Sequence, residues 1–559
     1  MGGYKRVLGR RDLRLLFGGL VVSATGSWAY NVALLAFVFD QTHSLTWVGA
    51  AGLGRFIPVV VLGAYAGVIA ERVERVRLML SSDLLCAVFQ ALLAVVAATG
   101  GSVTLAIGLA ALTTVANMVY DPAVAAMLPD LAGEDDLVAA TALREVINNV
   151  VIVAGPGIGA VLVSAGSPAL AIGVNAGSFV LSALLVSRLR ARSRPSDVTD
   201  GGDAGPLAQM LAGLRAIAES SRVALLVGFC ALVSFVYGTD TVLFVGASEQ
   251  NLGTGATGFG YLLAGLGVGG ILMGLAMDRI GRAPRLGTII VAGTAAYCLP
   301  TALLAMISSP PLAFVVEVVR GGGTLVVDVL AVTALQRTVA PEMIARVFGV
   351  FLSLVVGAIA LGTLVAPPVV SLLGLDGALL FFAIAPTALG LLGFPALRAM
   401  DRDGAARAAE LAPRIAILER VGMFAEASRP ILERLAAAAT PVTAVAGEAI
   451  VREGEAADAI YVLERGSVDV SAVGEHGRDE PLRTMPAGSY FGEVGVLERI
   501  PRTATVTAAE DCALLRIGGD EFLDALTTTP PSTTLMENTR TYLARTHPSR
   551  RPEYEPASR

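Results

Sequence analysis

The sequence predicts an all-α polytopic membrane domain of twelve transmembrane helices in two pseudo-symmetric six-helix halves, followed by a C-terminal β-roll with flanking helices. Three observations predict it. First, 54% of the 559 residues are hydrophobic and 16% charged, against roughly 25% charge in an ordinary soluble domain; mean hydropathy is +0.69. So much apolar surface has no place in small soluble cores, which excludes an ordinary soluble enzyme, a disordered chain and a secreted disulfide scaffold. Second, the texture changes near residue 400: the chain is dense in Leu, Val, Ala, Gly and Phe from about 12 to 400, then turns charged from Asp401. Third, landmarks of the apolar part recur at a nearly constant offset.

The apolar part divides into runs of about 20 residues, the length that spans a bilayer as a helix. They lie near 12–40, 45–70, 76–99, 102–128, 137–164, 168–188, 222–247, 257–280, 285–308, 311–338, 343–373 and 376–399. The runs do not alternate as the strands of a barrel would. The first follows a basic start (Lys5, Arg6, Arg10, Arg11, Arg14) and reads as an uncleaved span. One set of loops carries Arg72, Arg75 and Arg77; Arg188, Arg190, Arg192 and Arg194; Arg279, Arg282 and Arg285; Arg398 and Arg402. The other set (40–45, 99–103, 164–168, 247–257, 308–311, 373–377) has no Lys or Arg. The positive-inside rule predicts that the first set and both termini face the cytoplasm of an inner-membrane protein.

The repeat sets the halves. Gly67–Arg75 recurs as Gly274–Arg282, with Glu71 against Asp278 at an offset of 207. Pro129-Asp130 recurs as Pro341-Glu342 at 212, and Gly155-Pro156 as Ala366-Pro367 at 211. Two parallel six-helix halves, 1–188 and 222–400, follow, joined by 189–221. That is a transporter architecture with its substrate site between the halves near the midplane.

Six plus six helices with Gly274, Asp278, Arg279, Gly281 and Arg282 after the eighth span resemble the major facilitator superfamily. The first copy (Gly67, Glu71, Arg72, Arg75) departs by Glu71 for Asp and Glu74 for Gly. The resemblance implies a cytoplasmic gate motif in which an acid at a helix end pairs with a cation and latches the halves. Gly155-Pro156-Gly157-Ile158-Gly159 is similar to the antiporter signature of drug exporters. With Asp121-Pro122, Met127–Asp130 and Asn175–Phe179, it resembles the subgroup handling drugs, macrolides and siderophores, over residues 12–400.

Ionisable groups inside spans are costly and are candidates for substrate or proton handling. They are Asp40, Arg55, Asp121, Arg144, Glu145, Asp240, Glu317, Arg320 and Asp328. Glu317 and Arg320, at i and i+3, share a helix face.

From 401 the chain reads as a linker helix (401–420), a roll (421–546) and a polar tail (547–559). An amphipathic lead (Leu418, Val421, Phe424, Ile431, Leu435) precedes short β-like runs punctuated by glycines. The roll closely resembles the cyclic nucleotide-binding domain through Phe491, Gly492, Glu493, Val494, Gly495 and Pro501, Arg502, Thr503, Ala504. Gly495 stands where Ala is usual, a mild change that keeps the backbone N–H. The resemblance implies that Arg502 pairs with the cyclic phosphate, Glu493 accepts the ribose 2′-hydroxyl, and the N–H groups of Gly495 and Thr503 cradle phosphate oxygens. It also implies that residues 532–546 form a lid helix. The expected regulatory ligand is cAMP, with cGMP admitted through Thr503.

No channel filter, helix-turn-helix or Walker loop is legible, nor a catalytic triad, and the four cysteines and three histidines have no metal spacing. The sequence therefore predicts neither an enzyme nor a nucleic-acid binder, with no metal or cofactor. It predicts a secondary active transporter, a proton-coupled exporter of a small amphipathic molecule, embedded in membrane lipid and regulated by a cytoplasmic cyclic nucleotide. The alternatives are a lipid or lysolipid translocator of the same fold, and a membrane-anchored nucleotide receptor or scaffold that moves nothing.

Overall fold

The computed structural model describes residues 2–190, 206–255, 258–280, 285–339, 341–424, 427, 429–473 and 479–527. The chain divides into two compact units, Met1–Asp401 and Arg402–Arg559.

The first unit is helical. A short helix α1 (Gly2–Gly9) precedes α2 (Arg11–Thr42), α3 (Leu45–Arg72), α4 (Arg75–Ala98), α5 (Val103–Asn117), α6 (Tyr120–Ala165) and α7 (Pro168–Val186). Then come α8 (Pro206–Glu219), α9 (Ser221–Gln250), α10 (Gly258–Gly274), α11 (Met277–Ile280), α12 (Leu286–Cys298), continued as a 3₁₀ turn Leu299–Ala305, α13 (Pro310–Thr338) and α14 (Pro341–Leu418). Nine helices among the described residues are long and apolar enough to cross a membrane on those grounds alone. Three further crossings complete twelve. α10 is apolar but shorter. α13 carries Glu317, Arg320 and Asp328. α14 turns at Gly374 (φ 72°, ψ 173°) and so makes two passes. Gly133 (φ 67°) turns the chain in the same way inside α6.

Two local features differ from the sequence expectation. The fourth span is broken, α5 ending at Asn117 and α6 starting at Tyr120. The 189–221 link contains a helix, α8, whose Leu214 and Ile217 pack on Val223, Val227, Leu335 and Val347. An apolar pair three residues apart seats a helix on its neighbours even inside an otherwise polar connector.

The two halves meet tightly at the end with arginine-free loops. Every residue of α2 from Ala29 to Phe39 is buried. Gly49 and Gly52 of α3 lie against Pro367 and Thr363 of α14; a Cβ on Gly49 would come within 2.7 Å of the Pro367 ring, and one on Gly52 within 2.8 Å of the Thr363 methyl. On the opposite side Gly260 of α10 approaches the Pro156 carbonyl, and Gly159 approaches the backbone of Ala29, so the glycines around Pro156 act as packing surfaces. Below these contacts α3 and α14 lose their burial, while α6 and α10 stay in contact, a Cβ on Gly267 coming within 2.7 Å of Val153. No residue from Leu53 to Gly63 of α3 is buried, and none from Phe351 to Ala360 of α14. The structure is thus closed at the arginine-free end, while the stretches Leu53–Gly63 and Phe351–Ala360 towards the other end bury no residue. A bulkier residue at the seal shifts that balance. Gly49→Leu is expected to expose a cysteine introduced at Thr241 to an impermeant thiol reagent added from the arginine-free side. Labelling of the parent and the variant in vesicles checks it.

The second unit is a β-roll of two four-stranded antiparallel sheets with helices. β1 (Thr440–Ala444), β8 (Cys512–Gly518), β3 (Ala459–Arg465) and β6 (Tyr490–Phe491) form one sheet; β2 (Ala449–Val451), β7 (Thr505–Ala508), β4 (Ser467–Val473) and β5 (Asp479–Pro486) form the other. Strand alternation builds two cores. Ala459, Tyr461 and Leu463 of β3 face the roll interior with Val468, Met485, Phe491 and Leu514. Ile460 and Val462 face the helical side with Leu418, Val421, Phe424, Ile431 and Leu435, joined by Phe522 of the last helix (Gly519–Thr527). The apolar lead that precedes the strands is therefore the roll's second core. The short helix α16 (Glu493–Glu498) follows β6, and α15 (Arg429–Ala438) precedes β1. The expected lid, 532–546, and the tail, 547–559, lie outside the described residues.

Candidate functional sites

In the membrane unit the structure assembles a buried ionic cluster. Arg320 is central and wholly buried, as is Glu317; Asp240 is 2% exposed. Arg320 Nη1 donates to both Glu317 oxygens at 2.9 Å. Its Nη2 donates to Asp240 Oδ1 at 2.8 Å and Oδ2 at 2.9 Å. Its Nε donates to the Tyr297 carbonyl at 3.0 Å, and Tyr297 Oη donates to Asp240 Oδ2 at 2.8 Å. The guanidinium lies 4.9 Å from the Tyr297 ring centre and 5.2 Å from that of Phe244. Five donor contacts and two aromatic faces compensate its desolvation. The cluster ties α9, α12 and α13, and it holds two carboxylates against one guanidinium.

The other intramembrane candidates are placed differently. Arg55 is half-buried, its guanidinium 5.6 Å from the Tyr30 ring centre and 5.8 Å from that of Phe56. Asp121 and Arg144 meet at 3.4 Å, and Arg144 meets Glu145 at 3.5 Å, with both carboxylates exposed. Asp328 stands apart from the Arg320 cluster, accepting from Thr324 at 3.5 Å on its own helix. Asp40 is exposed at the end of α2. One buried carboxyl inside the spans escaped the sequence selection. Asp83 of α4 is fully buried, its Oδ2 accepting from Ser182 Oγ at 2.7 Å, with Tyr120 Oη 3.2 Å from the same hydroxyl. The rule that selected Asp240, an acid inside an apolar run, applies equally to Asp83.

At the gate motif, Arg75 donates to Asp130 at 2.8 Å and is nearly buried. That pair joins α4 to α6 inside the first half, whereas a latch between halves was expected. Glu74, in the place of the family's Gly, has φ −56°, a backbone any residue adopts, and it pairs with Arg77 at 2.7 Å. Gly67, Glu71 and Arg72 lie in α3, Gly274 ends α10, and Asp278 and Arg279 lie in α11. Gly281 and Arg282 are outside the described residues. Asp136, unremarked in the sequence, binds Arg6 at 3.0 Å and Arg10 at 3.2 Å and fastens the N-terminal turns.

In the soluble unit the cassette residues converge on Arg502. Gly492, at φ 89°, turns the chain from β6 into α16 and starts that helix with Glu493. Arg502 is 5% exposed. Its Nη1 donates to the Ala459 carbonyl at 2.9 Å and the Gly492 carbonyl at 3.1 Å; Nη2 donates to Asp458 Oδ1 at 3.1 Å. Asp458 Oδ2 accepts from Arg516 at 2.7 Å. Tyr461 and Phe491 stack at 5.3 Å, and the Arg502 guanidinium lies 5.9 Å from the Tyr461 ring centre. The backbone holds the same loop twice, Arg502 N–H to Glu455 O and Gly454 N–H to Arg502 O, both 2.8 Å. Arg502 is thus fixed by three protein acceptors, and no bond from its Nε–H is seen among the described residues. Glu493 is buried, and burial pushes its carboxyl above the usual range against the pull of its own backbone N–H, Arg483 and Arg502. Slight burial raises Asp458 but is outweighed by the Arg516 hydrogen bond and the charges of Arg516 and Arg502, which hold it below 3.8. Val494 and Ala504 are half-buried, and Pro501 and Thr503 exposed.

Gly495 is not a mild departure. A Cβ there would come within 2.5 Å of the Ala457 Cβ and 3.0 Å of the Ile500 carbonyl. The smaller residue matches the Ala457 side of the cleft. Gly495→Ala is expected to cost the roll ~1–3 kcal/mol through overpacking, and adding Ala457→Gly to restore most of it. Denaturant unfolding of the three proteins checks this.

Comparison with known proteins matches each part of the chain to a family. The profile of the family described as Transmembrane secretion effector matches residues 8–423, and that of the Cyclic nucleotide-binding domain matches 441–529. The multidrug efflux pump Tap of Mycolicibacterium fortuitum is 26% identical over 402 residues, 70% of this chain and 97% of that protein. The cAMP-dependent protein kinase regulatory subunit of Yarrowia lipolytica is 42% identical over 89 residues, 16% of this chain. The chain spans about a quarter of the length of the curated regulatory subunits it matches. Among solved structures, the sensor domain of the transcriptional regulator DNR from Pseudomonas aeruginosa aligns with 26% of this chain and 97% of its own, at 24% identity and a TM-score of 0.24.

Proposed function

Because the chain belongs to the transmembrane secretion effector family of the major facilitator superfamily and carries a cyclic nucleotide-binding domain, we propose that it is a proton-coupled exporter of small amphipathic molecules, regulated by a cytoplasmic cyclic nucleotide, cAMP before cGMP. It works by transport, without catalysis, as a plasma-membrane protein with both termini in the cytoplasm. The arginine-rich end is then the cytoplasmic one, and the seal of Gly49 and Gly52 against α14 closes the outer side.

The cluster of Asp240, Glu317 and Arg320 carries this proposal. Two carboxylates and one guanidinium in an apolar interior leave one surplus negative charge. Uptake of one proton by the carboxylate pair neutralises it and loosens one arm of the Arg320 fork; release restores the fork. The proton belongs to the pair rather than to one residue. Because the cluster ties α9 to α12 and α13, its two protonation states favour different arrangements of those helices. The efflux role of the similar pump supports the outward direction.

In proteoliposomes with an imposed pH gradient, the fluorescent amphiphile 8-anilinonaphthalene-1-sulfonate is expected to move against a counterflow of protons, followed by an enclosed pH dye. Glu317→Gln removes the surplus charge and is expected to stop the proton flux. Solute movement unaffected by the gradient and by Glu317→Gln would overturn proton coupling.

A further inference from the structure

The two mid-membrane arginines are in opposite states. Arg320 is saturated by two carboxylates. Arg55, among the described residues, has no carboxylate within ion-pair distance. It stands ten residues into α3, which begins at Leu45, about 15 Å below the arginine-free end. An uncompensated cation at that depth is costly.

Its position gives the reason for keeping it. Gly52 meets Thr363 and Thr241 at the seal between the halves. Arg55 follows Gly52 by three residues on α3, and Tyr237 precedes Thr241 by four on α9, so both lie one turn below the seal on facing helices. Arg55 and Tyr237 are both half-buried. From here down α3 has no buried residue through Gly63, so Arg55 stands in the roof of the space between the halves. The Tyr30 ring, 4% exposed, lies beside the guanidinium, and its buried hydroxyl, which faces Arg55 and Gln90, has no partner within 3.5 Å among the described residues. A guanidinium fork with no carboxylate partner among the described residues, the Tyr30 hydroxyl beside it and the faces of Tyr30 and Phe56 form a site for an anion attached to an apolar body.

We propose that Arg55, with Tyr30 and Tyr237, binds the anionic head of the transported amphiphile, a sulfonate, phosphate or carboxylate group, and that the substrate supplies the counter-charge the protein lacks. The proposal rests on the transport reading only for what becomes of the bound molecule; the binding site stands on its own geometry.

Octane-1-sulfonate and octyltrimethylammonium share an apolar chain and carry permanent opposite charges. Equilibrium dialysis of the radiolabelled pair against the purified full chain in a neutral detergent tests the site, with sodium sulfate as the inorganic competitor. The sulfonate is expected to bind at least about tenfold more tightly, 1.4 kcal/mol. Arg55→Gln is expected to erase that preference and Arg55→Lys to keep part of it. Sulfate at equal concentration is expected not to displace the sulfonate. Equal binding of the two amphiphiles, survival of the preference in Arg55→Gln, or displacement by sulfate alone overturns the proposal. If Arg55→Gln does not fold, the wild-type preference and its reduction in Arg55→Lys decide. Flux of both probes in proteoliposomes separates the two ideas. Transport of the ammonium without the sulfonate keeps transport and removes the anion site. Selective sulfonate binding without flux keeps the site and removes transport.

Discussion

Arg320→Gln is expected to be the most damaging single change in the membrane unit. It leaves Asp240 and Glu317 buried with no cation, and removing one partner of a buried ion pair costs ~3–5 kcal/mol. The purified variant should aggregate or unfold well below the parent temperature in a thermal scan by size-exclusion. The triple change Arg320→Met, Asp240→Asn, Glu317→Gln removes all the charge together. It should recover most of the stability, because a neutral set of similar volume has little to desolvate. It should not recover proton-coupled flux. A triple variant as unstable as Arg320→Gln would show that the cluster is held for packing rather than for charge.

Arg502→Ala is expected to be the largest effect in the soluble unit. The guanidinium bridges Ala459, Gly492 and Asp458 with three of its five N–H donors. Truncating a buried charge that pairs with a ligand costs ~2–5 kcal/mol. Titration of cAMP into the full chain should therefore show affinity lower by at least about thirtyfold, at 1.4 kcal/mol per decade. Arg502→Lys should recover little, since an ammonium cannot hold three acceptors in the geometry of a planar fork. Unchanged cAMP affinity in Arg502→Ala would remove Arg502 from the phosphate site.

How much of this was legible depended on distance along the chain. The twelve spans follow from run length and the halves from the 207–212 offset, because both are local or periodic signals. Glu317 and Arg320 could be paired at sight, being one turn apart on a helix. Their third member, Asp240, lies 80 residues away, and Tyr297 enters through a carbonyl and a hydroxyl that no spacing rule reports. The cassette was readable because its residues are contiguous in two short stretches. Its support was not: Asp458 and Arg516 come from β-strand neighbours, and the fit of Gly495 to Ala457 exists only once the loop is folded. Asp83 was available to the rule that selected Asp240. The state of the seal was invisible, since nothing in the sequence pairs Gly49 with Pro367 until α3 and α14 meet.

The central claim joins the two units in function: occupancy of the roll sets the rate of the carrier. Initial rates of pH-gradient-driven solute flux, measured in proteoliposomes of the full chain with and without saturating cAMP at the face of the soluble domain, test it most directly. A ligand that prefers one conformer by 1–3 kcal/mol shifts populations by about 5–150-fold. The account predicts a rate change of at least about fivefold, in either direction, that disappears in Arg502→Ala. Equal rates with and without cAMP, in a protein shown by titration to bind it, would contradict the account.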